Sequence, residues 1–221
     1  MPAVDVAFAD PLRTRLRGRL HQVAFITSIP LGVTLVAFGR TGVARASGAI
    51  YALSLITLYG VSAAYHRLPW TPGGRRLMRR LDHSSIFFLI AGSYTPLSML
   101  VLDGAWRVAI FATVWGVALL GVALKLFHME RTERIGTFLY IALGWTAIAA
   151  LPELLGSLGA AETALLFAGG VLFTVGAVMF TIGRPEPAPG TFGYHEVWHA
   201  AVILGSLCHY TLILLLLLGA D

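Results

Sequence analysis

Long apolar runs separated by short polar connections dominate the chain. Seven runs approach or exceed the roughly 20 apolar residues that a helix needs to cross a bilayer. Hydrophobicity is continuous along each run, without the alternation of apolar and polar positions that a strand of a membrane barrel shows. The pattern therefore predicts an all-α fold, a bundle of seven transmembrane helices over residues 22–38, 46–65, 84–102, 106–126, 135–155, 161–182 and 197–219.

The composition agrees with a membrane protein. Of the 221 residues, 57% are hydrophobic and only 12% are charged, whereas a soluble domain carries about 25% charged residues. The single cysteine, Cys208, excludes an intramolecular disulfide framework and a four-cysteine zinc site. No short apolar core followed by a small-residue cleavage site is recognisable near the N-terminus. We therefore expect a cytoplasmic N-terminal tail over 1–21 and one transmembrane domain over 22–221.

The basic residues predict the orientation of this bundle. The N-terminal tail and the second, fourth and sixth connections hold 13 of the 16 Lys and Arg residues, and the opposite side holds Arg40, Arg45 and Arg107. Basic residues concentrate on the cytoplasmic side of membrane proteins. We therefore predict a cytoplasmic N-terminus and an external C-terminus, the reverse of a G-protein-coupled receptor. The high pI of about 9.8 reflects these connections, so no nucleic-acid partner is expected; the oligomeric state is not readable from the sequence.

Ionisable residues near the ends of three spans are candidates for function, because such groups are costly at membrane depth. In the predicted topology all of them lie at the cytoplasmic end of the bundle. They are Ser62 and His66 at the end of the second span, Asp82 and His83 at the start of the third, and His195 and His199 at the start of the seventh.

The histidines of this group favour a zinc site. His195 and His199, four residues apart, project from one helical face and can chelate one ion. His66 supplies a third nitrogen, which leaves a fourth position for water or a carboxylate, as in catalytic zinc sites. The alternative for any single histidine is a hydrogen bond across helices. Three histidines and Asp82 at one depth favour the metal.

The stretch from His195 to His199 also matches H-E-x-x-H, the zinc-protease motif in which the glutamate activates water. Glu196 lies about 100° around the helix from His195, so this role is geometrically possible. Asp82 nevertheless offers a second carboxylate. We also expect Glu196 at the membrane boundary, where a solvated acid costs little. The motif alone therefore does not select a protease.

Three segments resemble the signature segments of the hemolysin III family. They are SAAYH (62–66), LDHSSIFFLIAGSYTP (81–96) and GYHEVWHA (193–200), in the expected order along the second, third and seventh spans. That family is the bacterial branch of the progestin and adipoQ receptors (PAQR), related more distantly to alkaline ceramidases. The resemblance implies a multi-pass protein of the bacterial inner membrane, with seven helices and a cytoplasmic N-terminus.

The resemblance also implies roles for individual residues. It assigns zinc to His66, His195 and His199, with Asp82 holding the metal-bound water and Ser62 close by. The residue after the first histidine of the pair varies in the family, so the resemblance implies that Glu196 is incidental.

These assignments lead to a hypothesis of a zinc-dependent hydrolase of lipid amides, with a membrane lipid as substrate. Asp82 would transfer the proton of the attacking water to the leaving group, and Ser62 would hydrogen-bond the water or the oxyanion. Two alternatives stay open at this point. One is a non-enzymatic receptor or membrane-homeostasis protein with a structural zinc. The other is a membrane-permeabilising hemolysin, which the lack of a row of charges to line a pore disfavours.

The remaining histidines are expected to have other roles. We predict that His83 is a neighbour of the site rather than a ligand and that His209 is hydrogen-bonded in the core. His21 is expected at the membrane interface, and His128 on a solvated face of the fourth connection.

Overall fold

The computed structural model describes residues 14–219, and only the backbone of residues 130–135 among them. The first 13 residues of the predicted tail and the last two of the predicted membrane domain lie outside the described part. The described chain is helical, which confirms the all-α class. It forms α1 (Arg19–Phe38), α2 (Gly42–Arg67), α3 (Pro72–Leu100), α4 (Gly104–Gly144), a short 3-10 helix (Thr146–Ala150), α5 (Leu151–Ser157), α6 (Ala160–Ile182) and α7 (Tyr194–Gly219).

Within the described residues, six segments are long and apolar enough to cross a membrane. α4 covers two of the predicted spans, and non-helical backbone angles at His128 kink it between them. The fifth predicted span combines the end of α4, the 3-10 helix and α5. The six segments are Arg19–Phe38, Gly42–Arg67, Gly104–Met129, Gly136–Ser157, Ala160–Ile182 and Tyr194–Gly219.

α3 corresponds to the third predicted span, but it is less apolar than the six. Serines at positions 84, 85, 93 and 98 lower its hydropathy, and all four are buried. The hydroxyls of Ser85 and Ser93 donate to the carbonyl oxygens of Asp82 (2.6 Å) and Ile90 (2.8 Å) in their own helix. α3 packs between α2 and α4, so these hydroxyls face protein. The seventh crossing therefore remains a prediction.

The outer surface of the bundle is apolar. Large side chains that are more than 60% exposed include Val23, Val108, Phe127 and Phe138. Water-soluble proteins rarely expose apolar area on this scale, whereas hydrocarbon tails match it. The chain is therefore a membrane-spanning protein whose surroundings are a lipid bilayer.

The path of α7 through the bundle positions the candidate site. Consecutive helices pack side by side from α1 to α4, and α7 returns to contact α1, α2 and α3. The hydroxyl of Tyr51 donates to the carbonyl of Ser206 (3.0 Å), and that of Tyr210 to the carbonyl of Leu31 (3.1 Å). These bonds tie α7 to α2 and α1. The start of α7 therefore lies beside the end of α2 and the first turns of α3, a region we call the histidine end.

Candidate metal centre

The structure brings the three predicted ligands together at the histidine end. His66 is the second-last residue of α2, and His195 and His199 lie in the first two turns of α7. One ring nitrogen from each histidine lies within 4.8 Å of those of the other two. The Nε2 atoms of His66 and His195 are 3.2 Å apart. No other group of this kind occurs among the described histidines, cysteines and acids.

The geometry of this triad fits a tetrahedral zinc ion. Nitrogen ligands at 2.0–2.1 Å from a tetrahedral ion are separated by about 3.3 Å, close to the distance between His66 and His195. Two imidazole nitrogens that approach each other so closely need a shared proton or a cation between them. The Nδ1 atom of His199 is buried without a hydrogen-bond partner in the described part of the chain. The donor set of three imidazoles is one that zinc prefers.

A cavity of about 240 Å³ opens beside the triad. Ser62 and Asp82, the predicted catalytic pair, share its wall with the three histidines. The Ser62 side chain lies beside the Asp82 carboxylate on this wall. The aspartate side chain keeps 16% of its surface exposed, and it is not a member of the three-residue group that could hold the ion. Its carboxylate is therefore placed to meet a small molecule in the cavity.

His83 also lines this cavity but is held outside the triad. Its Nδ1 donates to the carbonyl of Arg79 (2.9 Å) in the preceding turn and lies 3.8 Å from the Asp82 carboxylate. The hydroxyl of Tyr140, from the second half of α4, donates to the His83 carbonyl (2.9 Å). These contacts fix the first turns of α3 against α4 and so set the direction of Asp82.

The expectation for Glu196 was wrong. Its side chain is fully buried, not solvated at a boundary. The carboxylate accepts a hydrogen bond from Arg17 Nε (2.8 Å) and another from the backbone N–H of Gly193 (2.8 Å). A buried acid requires such partners. The glutamate of H-E-x-x-H is not a member of the metal group, in agreement with the resemblance, and it anchors the start of α7 to the segment that precedes α1.

The expectation for His21 was also wrong. It is only 3% exposed, and its ring stacks on that of His199 with centroids 3.7 Å apart and planes 11° from parallel. A metal lies in the plane of an imidazole that binds it, and two parallel stacked planes share no such point. His21 therefore orients the His199 ring in this arrangement rather than binding the same ion.

The positions of the other two histidines agree with those predicted from the sequence. His209 contacts the carbonyl of Leu166 through Nε2 (3.3 Å), which confirms a hydrogen-bonded core residue. It lines a second, more apolar cavity of about 80 Å³ that shares part of its wall with the first. His128 is exposed at the break in α4.

Sequence reasoning missed several residues of the first cavity. Arg17, Arg75, Arg79 and Lys125 all line it, and the sequence had assigned them only to charged tails and loops. Lys125 is 2% exposed, so it lies inside the bundle. A signal was available, because Lys125 falls within the apolar run 106–126 and is the only lysine of the chain.

Comparison with known proteins identifies the family. Residues 11–210 match the family model described as Haemolysin-III related. The chain belongs to this family. The hemolysin III match includes every residue of the triad and of the Ser62–Asp82 pair.

Relatives of this hemolysin III chain extend over most of its length. It is 34% identical to the Hemolysin-3 homolog of Bacillus subtilis (strain 168), over 88% of this chain and 89% of that protein. It is also 34% identical to the Hemolysin-3 of Bacillus cereus, over 84% and 83% respectively. A weaker match, 25% identical over 73% of this chain and 66% of the relative, is the human Monocyte to macrophage differentiation factor. This last protein belongs to the PAQR group, so the predicted relationship of this chain to that group is confirmed.

Proposed function

We propose that this hemolysin III protein is a zinc-dependent hydrolase of lipid amides, ceramidase-like in chemistry. It would cross the bacterial inner membrane seven times with its N-terminus in the cytoplasm and act from that side. One observation carries the proposal: three histidine nitrogens converge within 4.8 Å on the wall of a cavity that also holds Asp82 and Ser62.

The residues of the cavity can divide the steps of amide hydrolysis between them. His66, His195 and His199 would hold zinc, which supplies Lewis acidity to a carbonyl group and to water. The Asp82 carboxylate accepts a proton from the water as its oxygen bonds to the amide carbon. It returns that proton to the nitrogen as the C–N bond breaks, which gives a carboxylic acid and an amine. The Ser62 hydroxyl lines the same cavity as Asp82 and would donate to the developing oxyanion.

The position of the cavity supports a lipid substrate. The cavity lies at one end of a bundle whose outer surface is apolar. An apolar second cavity shares Leu58, Ile86 and Trp198 with it. An amide that carries a hydrocarbon chain fits these surroundings better than a soluble peptide does.

A structural zinc is the second candidate, favoured by the origin of the ligands. Two come from α7 and one from α2, so an ion would tie together helices 129 residues apart in sequence. In that case the protein would act as a receptor or in membrane homeostasis without turnover. The third candidate is permeabilisation of membranes, which the names of the Bacillus relatives suggest for those proteins. The test must distinguish it from the two zinc-dependent functions.

The test begins with metal content. Elemental analysis of purified protein should give about one zinc per chain, as expected for a single three-histidine site, and His195→Ala/His199→Ala should lose it. Zinc-loaded protein is then assayed for release of fatty acid from a fluorescent N-acyl sphingoid lipid. Asp82→Asn should abolish turnover and keep the zinc, while Ser98→Ala, at a buried serine of α3 that lines neither cavity, serves as the control.

Each outcome selects one function. Zinc without turnover of N-acyl or O-acyl lipids would contradict the hydrolase and leave the structural role. Dye release from protein-containing liposomes that is unaffected by the histidine variants would favour permeabilisation. Protein purified without chelator that contains no zinc would contradict both zinc-dependent functions.

A further inference from the structure

Residues 14–21, which lead into and begin α1, contact two ligands of the proposed metal centre. The backbone of Gly18 lies against His66, because a Cβ atom at position 18 would be only 2.5 Å from the Cβ of that histidine. One turn further on, the ring of His21 stacks on that of His199 with centroids 3.7 Å apart. His66 belongs to α2 and His199 to α7. Ligands from two helices are therefore held by one short segment, which we call the N-terminal clamp.

The N-terminal clamp is also attached near the third ligand, His195. The Arg17 guanidinium is paired at 2.8 Å with Glu196, the next residue of α7. The backbone N–H of Leu16 donates to the carbonyl of Thr191 (3.2 Å), and the N–H of the preceding residue donates to the carbonyl of residue 190 (3.0 Å). These bonds join the clamp to the connection before α7 and to the first turn of that helix. The clamp therefore contacts or borders every ligand of the triad.

The part of the clamp before α1 can detach while the bundle stays folded. Its attachments to α7 and to the preceding connection are backbone hydrogen bonds and the ion pair of Arg17, and its apolar side chain, Leu16, is 37% exposed. Segments that bury little apolar area open locally at a low free energy. Gly18 has a φ of +78°, and a glycine at this point lets the chain change direction without steric cost. The clamp therefore has both a weak attachment and a hinge.

We propose that the N-terminal clamp controls the release of the metal from the triad, with Gly18 and His21 as positioning residues. A chelated ion escapes only after its ligands move away one after another, and a ligand that stays in place recaptures the ion at a high effective concentration. The attached clamp holds His66 and His199 in place, and the detached clamp leaves both free to turn away. The inference rests on the proposed function for the presence of zinc in the triad, and it requires no turnover.

The first test measures the release of zinc from the full chain in detergent. An excess of a chromophoric chelator traps the released ion, and the absorbance gives the rate. In Gly18→Ala the added methyl group collides with His66, and the backbone resists the left-handed angle. Gly183→Ala is the matched control, because Gly183 has a similar φ of +68° and a Cβ atom there meets no neighbour within 4 Å. Both variants carry similar backbone strain, and only Gly18→Ala displaces the clamp from a ligand.

The second test fixes the clamp in place without altering a ligand. Leu16→Cys/Thr191→Cys, in a Cys208→Ala background, places two thiols on residues joined by a backbone hydrogen bond, where a disulfide can form. Oxidised glutathione closes the disulfide, and tris(carboxyethyl)phosphine opens it again. Leu16→Cys in the same background is the control for the effect of either reagent. This measurement decides the proposal by itself if Gly18→Ala does not fold.

Gly18→Ala should release zinc at least about tenfold faster than the wild type, the size of effect expected for residues that orient metal ligands, and Gly183→Ala should match the wild type. The oxidised double-cysteine variant should release zinc more slowly than the same protein after reduction. Equal rates in Gly18→Ala and Gly183→Ala, or in the oxidised and reduced forms, would overturn the proposal. Wild-type protein that binds no added zinc would overturn it as well.

The proposed hydrolase can fail separately. Zinc release that depends on the clamp, in a protein that hydrolyses no lipid amide, would retract the enzyme and keep the clamp. Zinc-dependent hydrolysis of a lipid amide, by a protein whose zinc release is the same with the clamp locked and unlocked, would retract the clamp and keep the enzyme.

Discussion

Replacement of Glu196 by alanine tests whether the glutamate of the H-E-x-x-H motif has a structural role. The wild-type carboxylate is fully buried and accepts hydrogen bonds from Arg17 Nε and from the backbone N–H of Gly193, each at 2.8 Å. The alanine variant would leave a guanidinium that is only 13% exposed without its counter-charge. It would also leave the N–H of Gly193 without its acceptor at the start of α7.

The size of the effect follows from these contacts. Removing one partner of a buried ion pair costs about 3–5 kcal/mol, because the remaining charge stays desolvated. For a chain of this length, each kcal/mol lowers the unfolding midpoint by about 2–4 °C. We therefore expect Glu196→Ala to lower the midpoint by roughly 6–20 °C. Glu196→Gln should lower it less, since an amide of the same shape can still accept one of the two hydrogen bonds through its single oxygen.

The assay is thermal unfolding in detergent, followed by tryptophan fluorescence. Glu186→Ala is the matched control, because this acid lies in the connection before α7 and is exposed. A double-mutant cycle with Arg17→Gln should show that the two effects are strongly non-additive. An equal midpoint for Glu196→Ala and Glu186→Ala would refute the anchoring role. If Glu196→Ala kept its stability but lost lipid hydrolysis, Glu196 would instead act as a general base, as in the zinc-protease motif.

Other side chains lead to further predictions. His21→Ala removes the ring that stacks on the proposed zinc ligand His199, and it should weaken zinc binding by about tenfold, the low end of the effect of residues that orient ligands. Competition with a chelator measures the zinc affinity. An equal loss of affinity in His209→Ala, which alters a histidine elsewhere in the bundle, would contradict the prediction. Gly92→Ala should destabilise the protein by about 1–3 kcal/mol, because the added methyl group collides with a serine of α2. Gly116→Ala is the control: its added methyl group meets no atom within 4 Å, and the variant should be neutral or slightly stabilising. Equal unfolding midpoints for Gly92→Ala and Gly116→Ala would refute the close approach of α2 and α3. Tyr94→Phe removes a hydroxyl that bonds the backbone on both sides of the break after α4, and it should lower stability by about 1–3 kcal/mol in the same assay.

The sequence determined the class of the protein and the location of its chemistry. Apolar runs long enough to span a bilayer specify helices directly, because the backbone must satisfy its own hydrogen bonds in hydrocarbon. His66, His195 and His199 then fall near helix ends on the same side of the bundle, since successive spans alternate in direction. That alternation predicted their common depth without any knowledge of packing.

The hydropathy of α3 shows where the pattern became weaker. The serines of α3 lower its hydropathy, although the structure buries them against neighbouring helices. Burial in protein and burial in lipid impose different limits on polar groups, and the sequence alone does not distinguish these surroundings.

Only the tertiary structure decided which side chains complete the site. Glu196 is paired with a residue 179 positions away, and His21 stacks on His199 from the opposite end of the chain. Lys125 points into the bundle, although its charge suggested a loop. Helical periodicity gives each residue's direction around its own axis, but not the rotation of one helix against another. Packing fixes that rotation, and with it the partners of every buried charge at the histidine end.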